Sequence, residues 1–193
     1  MEYIRSFLAI EIMQAILENI SKIQDELKKE LSLVKWLKPE DMHLTLLFLG
    51  NISLMDVDKI NNVLLAPSLS TKPFYIKLKS IGIFPNSLRP RVLWIGVEDR
   101  HKNMESLYDD ILRPLEKIGF KGEDRKFHPH LTLGRFKSIK GNKILNSYLE
   151  KYKNFEFGEE LVDKIVLFKS DLRPDGSVYT KLKEISIGGD NVK

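Results

Sequence analysis

The sequence predicts an α+β protein built from two related lobes, and three observations predict it. The tetrapeptide His-Leu-Thr-Leu occurs twice, at His43-Leu44-Thr45-Leu46 and His130-Leu131-Thr132-Leu133, in a chain with four histidines. The copies start 87 residues apart (43 to 130), close to half of the 193 residues. Strand-like and helix-like stretches interleave along the chain, and each motif strand is followed by a helical pattern. Residues 1–193 are therefore expected to form one bilobal domain, with no low-complexity segment between its halves.

Each element has its own signature. Residues 3–12 read as a strand, with Phe7, Leu8, Ile10 and Ile12 as β-prone mass. Residues 13–33 place Ile16, Ile20, Ile23, Leu27 and Leu31 at helical spacing, with Lys28, Lys29 and Glu30 on the wet face. Trp36 and Leu37 form a short extended piece that Pro39 punctuates. Residues 42–50 are a strand carrying the first motif, and Ser53 caps a helix expected to run to about residue 65. Strands follow at 74–84 and 91–97 around a Pro-rich loop, then a helix over 102–118 that Gly119 stops. The second half repeats the grammar: a motif strand at 130–136, a helix at 143–153, and strands at 161–169 and 178–187. The last two are joined by the turn Arg173-Pro174-Asp175-Gly176.

Composition narrows the class. With no cysteine there is neither a disulfide nor a thiolate metal site, which suits a reducing, cytoplasmic compartment. Glu2, Arg5 and Glu11 interrupt the first apolar stretch, which has no signal-peptide layout, and no run approaches a membrane span. The formal charge of +4 leans mildly toward polyanionic partners.

In a strand, alternate side chains share a face, so His43 and Thr45 point one way while Leu44, Leu46 and Phe48 are expected in a core. His130 and Thr132 repeat this against Leu131 and Leu133. Each strand then offers an imidazole and a hydroxyl roughly 7 Å apart. If the strands lie side by side about a pseudo-two-fold axis, four polar groups converge on one cleft that suits a phosphate. Two imidazoles with ordinary pKa near 6.5 supply a general acid and a general base together, with no metal and no cofactor. A packing pattern alone would keep the leucines but has no need of both histidines and both threonines. His128, two residues before His130, has a spacing that can bind zinc, but no further ligand stands at a partner spacing; it reads as a structural residue. His101, near a helix start, reads as solvent exposed.

These residues resemble the two-histidine phosphoesterase superfamily, marked by a pair of His-x-Thr-x motifs. More narrowly they resemble the RNA 2′,3′-cyclic phosphodiesterases, also called the 2′-5′ RNA ligase family. The likeness runs from Arg5-Ser6-Phe7-Leu8-Ala9-Ile10 through MHLTLLFLG (42–50), FPNSLRPRVLWIGV (84–97) and FHPHLTLGRF (127–136) to Ser170-Asp171-Leu172-Arg173. It implies two lobes, each an antiparallel sheet backed by helices, with the site in the groove between them. It also implies hydrolysis of a terminal RNA 2′,3′-cyclic phosphate to a 2′-phosphate. By motif, His43 would be the proton donor and His130 the proton acceptor, with Thr45 and Thr132 holding the phosphate and Arg135 neutralising it.

Two readings of Arg135 stay open at this level. Strict alternation sends it to the face opposite His130, as a surface charge; a bulge at Gly134 would return it to the groove. Phe7 and Tyr179 are candidates to stack a terminal base. Arg89, Arg91, Lys121, Arg125 and Lys126 either guide an RNA backbone or are solvated loop charges. The expected partner is RNA with a cyclic phosphate end, or a small cyclic-phosphate nucleotide, taken by a monomer with no membrane attachment. The alternatives are 2′-5′ ligation by the reverse chemistry, a non-catalytic RNA-end or nucleotide-binding module, and an esterase for a small cyclic phosphate such as ADP-ribose 1″,2″-cyclic phosphate.

Overall fold

The computed structural model describes residues 2–138, 143–174 and 176–188. Its elements run β1 (Tyr3–Glu11), α1 (Gln14–Glu30), β2 (Val34–Trp36), a 3-10 turn (Pro39–Asp41), β3 (His43–Ser53), α2 (Leu54–Ser70), β4 (Phe74–Phe84) and β5 (Val92–Glu98). They continue with α3 (Asn103–Lys117), β6 (His130–Phe136), α4 (Lys143–Lys151), β7 (Glu156–Val162), β8 (Lys164–Arg173) and β9 (Gly176–Ser186).

The strands form one antiparallel sheet in the order β7-β4-β5-β6-β3-β1-β8-β9, with β2 alongside β6. Its two wings meet where β3 lies against β6, through the single registered pair Leu44 with Leu131. Past that pair the edge of β6 is taken by β2, which matches Val34 to Phe136 and Trp36 to Gly134. The helices cover one face: α1 packs on β7, α4 on β4, α2 on β3 and β9, and α3 on α2 and β3. The core of leucine, isoleucine and valine side chains lies between them and the sheet.

The wings do not correspond to the halves of the sequence. β4 follows β3 and α2 in the chain yet pairs with β5 and β7, beside the second motif. β8 follows β7 yet pairs with β1, beside the first motif. Each wing therefore contains strands from both halves of the chain.

Local chemistry explains the boundaries. α1 buries Ile16, Leu17, Ile20, Gln24 and Leu27, and the Met13 N–H before it donates to the Glu160 carboxylate at 2.6 Å. At the start of α2, Asp56 accepts from both the N–H and the hydroxyl of Ser53, at 3.0 and 2.7 Å. That helix outlasts its expected end and runs through Pro67, because Leu64 and Ser68 are both buried beneath it. The Pro67 carbonyl closes the last turn by accepting from the Thr71 N–H, the Thr71 hydroxyl and the Ser70 hydroxyl. Gly119 ends α3 with φ of 98°, as its position implied.

The strand expected over 161–169 is two strands. β7 lies at one edge of the sheet and β8 in the other wing, so the chain changes wings at Asp163 inside what reads as one apolar run. Of the turn expected at 173–176, Asp175 lies outside the described residues.

Candidate active site

The Leu44–Leu131 pair fixes the site. Both leucines are fully buried on the helix side, so their neighbours His43, Thr45, His130 and Thr132 face the other way. His43 and Thr45 flank that pair on β3, and Thr132 and His130 flank it in the opposite order on β6. The two histidines therefore stand on opposite sides of the leucine pair, one on each inner strand.

Both motif strands bulge at the same place. In β3, Leu47 pairs with Leu8 and Thr45 with Ala9, leaving Leu46 as the extra residue. In β6, Gly134 pairs with Leu93 and Thr132 with Trp94, leaving Leu133 extra. Leu46 and Leu47 are both buried, as are Leu133 and Gly134, so the alternation of faces shifts by one. The residue five past each motif histidine therefore comes out on the groove side. At one copy it is Phe48, at the other Arg135.

Phe48 thus departs from the core position that alternation assigns it: it is 47% exposed, with its ring 6.0 Å from that of Phe7. Arg135 is exposed and pairs with Val92, two residues from Trp94, whose ring lies beside His130. The structure places Arg135 on the face of His130 and Thr132. The signal for both residues was their common offset from the duplicated motif, which strict alternation conceals. Gly134 allows β2 to approach, since a Cβ there would lie 2.5 Å from Val34 Cγ1 and 2.9 Å from the Lys35 carbonyl oxygen. Gln24, which helix periodicity passes over, is buried on α1 and donates to the carbonyls of Leu37 (3.0 Å) and Leu133 (3.2 Å), tying the helix to the bulge.

Each imidazole sits in an aromatic nest. His43 stacks on Phe7 (centroids 4.6 Å) and meets Tyr179 edge-on (4.9 Å), with Phe168 behind. His130 meets Phe84 edge-on (5.0 Å) beside Trp94 and His128. The Trp94 ring covers Gly82, where any Cβ would fall 2.2 Å from it. Each histidine is also hydrogen-bonded to the backbone two residues earlier, His43 to Asp41 and His130 to His128. The His130 bond is 2.7 Å from Nδ1 to the His128 carbonyl oxygen. A carbonyl can only accept, so Nδ1 carries the proton and Nε2 of the neutral ring is the acceptor nitrogen.

Burial disfavours the charged form of both rings. It holds His43 down at about 4, against the opposing effect of the Asp41 bond. It lowers His130 as well, and His128, Arg125 and Arg135 add to that by like charge. Without an anion beside them, both rings are neutral at pH 7.

Other candidates are placed as follows. Phe7 is only 2% exposed and is covered by His43, Phe168 and Tyr179, so it has no face left for a base; its place is beneath the histidine. Tyr179 is half-buried at the rim of that nest. The rings of His128 and His130 are 6.5 Å apart between centroids, too far to share a zinc ion with Zn–N bonds of about 2.0–2.1 Å. Among the described residues no three His, Asp or Glu side chains gather as metal ligands. His101 is exposed, as are Arg89, Arg91, Lys121, Arg125 and Lys126. Arg125 and Lys126 are engaged with Glu123 and Glu105.

A curled antiparallel sheet whose two inner strands carry matching His-x-Thr motifs defines a two-histidine phosphoesterase. The chain belongs to the AKAP7 2′5′ RNA ligase-like domain family, whose model matches residues 6–187. It is 42% identical over 180 residues to an RNA 2′,3′-cyclic phosphodiesterase of Methanocaldococcus jannaschii, covering 93% of this chain and 99% of that one. An RNA 2′,3′-cyclic phosphodiesterase of Aquifex aeolicus is 39% identical over 176 residues, covering 89% and 93%. Among solved structures, E. coli LigT complexed with 3′-AMP superposes with a TM-score of 0.78 at 26% identity, over 96% of this chain and 99% of that one. A protein of Thermus thermophilus gives 0.81 at 26% identity, over 97% and 100%.

Proposed function

We propose that this chain is a metal-independent RNA 2′,3′-cyclic phosphodiesterase that opens the terminal ring to a 2′-phosphate. The observation that carries the reading is that two motif histidines, each hydrogen-bonded to the backbone two residues earlier, flank the one contact between the inner strands. Water attacks phosphorus as His130 Nε2 takes its proton. The bond from phosphorus to O3′ breaks, and protonated His43 supplies a proton to that oxygen. Exchange with solvent then restores both rings. Thr45 and Thr132 donate to the non-bridging oxygens, and Arg135 offsets their charge. The negative phosphodiester raises the pKa of the buried His43 ring, so substrate binding itself helps to charge the acid. Phe48 and Tyr179 are the groove aromatics available to stack the terminal base.

The reaction is run with EDTA present on a short RNA ending in a 2′,3′-cyclic phosphate. The expected product is the 2′-phosphomonoester, at a rate unchanged by the chelator. His43→Ala and His130→Ala are each expected to lower kcat by about 10²–10⁴ without unfolding the protein. Activity lost to EDTA and restored by zinc, or retained in the double variant, rejects the mechanism. The family description favours one second reading, 2′-5′ joining of the cyclic end to a 5′-hydroxyl. It uses the same groups in reverse and is read by adding a 5′-hydroxyl RNA to the same assay. A monomer in the cytoplasm suits both.

A further inference from the structure

β2 sets two like charges side by side. Lys35 is the registered partner of Arg135 across the β2–β6 pair, so the two side chains share the groove face at neighbouring positions. Like charges directly opposite each other destabilise a sheet. Some surface lysines meet carboxylates, as Lys79 meets Glu98 and Lys181 meets Glu11, while others such as Lys22 and Lys121 have no ion pair among the described residues. Lys35 and Arg135 have no carboxylate partner among the described residues, and both are exposed. Lys137 extends the row. Its N–H donates to the Leu33 carbonyl at 2.8 Å, continuing the β2–β6 register by one residue. It is exposed in the bend just past the end of β6, two residues beyond Arg135, and it too has no ion pair among the described residues.

A track of three cations thus leaves the site along β6, from Thr132 past Arg135 and Lys35 to Lys137. Steps of two residues in a strand are about 6.8 Å, which is comparable to the separation of successive phosphates in an extended single strand. Nothing in the hydrolysis of a cyclic phosphate needs the outer two.

We propose that Lys35 and Lys137 form a subsite for the RNA phosphate next to the reacting one, making the enzyme selective for oligoribonucleotide ends over cyclic mononucleotides. This rests on the phosphodiesterase reading. A 2′,3′-cyclic phosphate closes the 3′ end of its chain, so the only adjoining phosphate is the one on the 5′ oxygen of the terminal nucleoside. The track therefore also sets a direction: the chain leaves along β6, while the terminal base lies toward the Phe48 wing.

The test compares wild type with the Lys35→Ala/Lys137→Ala double variant. Measured are kcat/KM for a pentaribonucleotide ending in a 2′,3′-cyclic phosphate and for a nucleoside 2′,3′-cyclic phosphate. Binding of a labelled pentaribonucleotide ending in a 2′-phosphate is followed by fluorescence anisotropy over a salt series. The ratio of the two kcat/KM values is expected to fall about tenfold, through KM, at a few-fold per cation. The slope of log affinity against log salt should lose about 0.7, the value for one phosphate neutralised on a single strand. Thermal stability should not fall, since the variant relieves the opposition to Arg135. An equal loss on both substrates, or an unchanged ratio and slope, overturns the subsite. If wild type turns over neither substrate, it is the phosphodiesterase reading that fails; the anisotropy slopes still decide whether the track binds RNA.

Discussion

At the scale of single residues, the environments of the two imidazoles determine when they hold protons. A site needing one charged and one neutral ring works best between the two apparent pKa values of the pair, whichever ring supplies which. For the protein without phosphate both lie under 6.5, with His43 at about 4. The profile of kcat/KM, which reports the free enzyme, is therefore expected to be bell-shaped with its maximum below pH 6.5. That of kcat should be displaced upward by the bound phosphate. Steady-state rates from pH 4 to 9 measure both, and a kcat/KM maximum above pH 7 contradicts the assignment. The same ring links pH to stability. Its folded pKa is depressed below the unfolded 6.5, so the unfolded chain binds the proton more readily between those values. Stability is fully present above pH 6.5 and is lost as pH falls toward 4, by on the order of 2–3 kcal/mol from this group. His43→Gln should flatten that part of the curve in urea titrations at pH 4.5 and 6.5; an unaltered pH dependence would place the cause elsewhere.

At the scale of elements, the two bulges control what each motif strand presents. Period-two alternation holds for His43, Thr45, His130 and Thr132, because each bulge falls on the last leucine of its motif, after the threonine. It misplaced Phe48 and left Arg135 undecided, because one extra residue reverses every face beyond it. Gly134 was the legible hint of the second bulge, but the Leu46-Leu47 bulge has no glycine to announce it. The α1 pattern was equally clear, yet Gln24 was invisible as a partner of Leu133, for that contact joins residues 109 apart in the chain. β2 then bears on Gly134 so closely that any side chain there must displace backbone. Gly134→Ala is expected to cost about 1–3 kcal/mol, the usual penalty for overpacking. It should also raise KM, because Arg135 moves with the strand. Urea unfolding and steady-state kinetics on the same variant read the two effects, and a stable variant with unchanged KM would show that β2 does not hold the arginine.

For the whole molecule, the duplicated motif indicated two lobes but not how the chain is shared between them. Periodicity reports which faces are apolar and is silent about which strand each will pair with, so the crossing of β4 and β8 into opposite wings left no trace in the pattern. Their exchange makes the halves mutually dependent. A fragment ending in the exposed loop at Leu88 keeps β1, β3 and their helices. It leaves β4 without β5 or β7, and β1 without β8. The complementary fragment strips β8 of β1 and β6 of its Leu44 contact. Neither piece can bury the strands that its partner covers, so both are expected to lack cooperative thermal unfolding when expressed alone. Mixed in equal amounts they should regain the circular dichroism of the intact chain together with its turnover of cyclic-phosphate RNA, because the proposed acid–base pair takes one histidine from each. The intact chain should remain the more stable, since joining the pieces removes the entropy of association. A first-half fragment that melts cooperatively alone would mean that the motif strands fold within their own halves, contrary to the pairing that brings His43 and His130 to one groove.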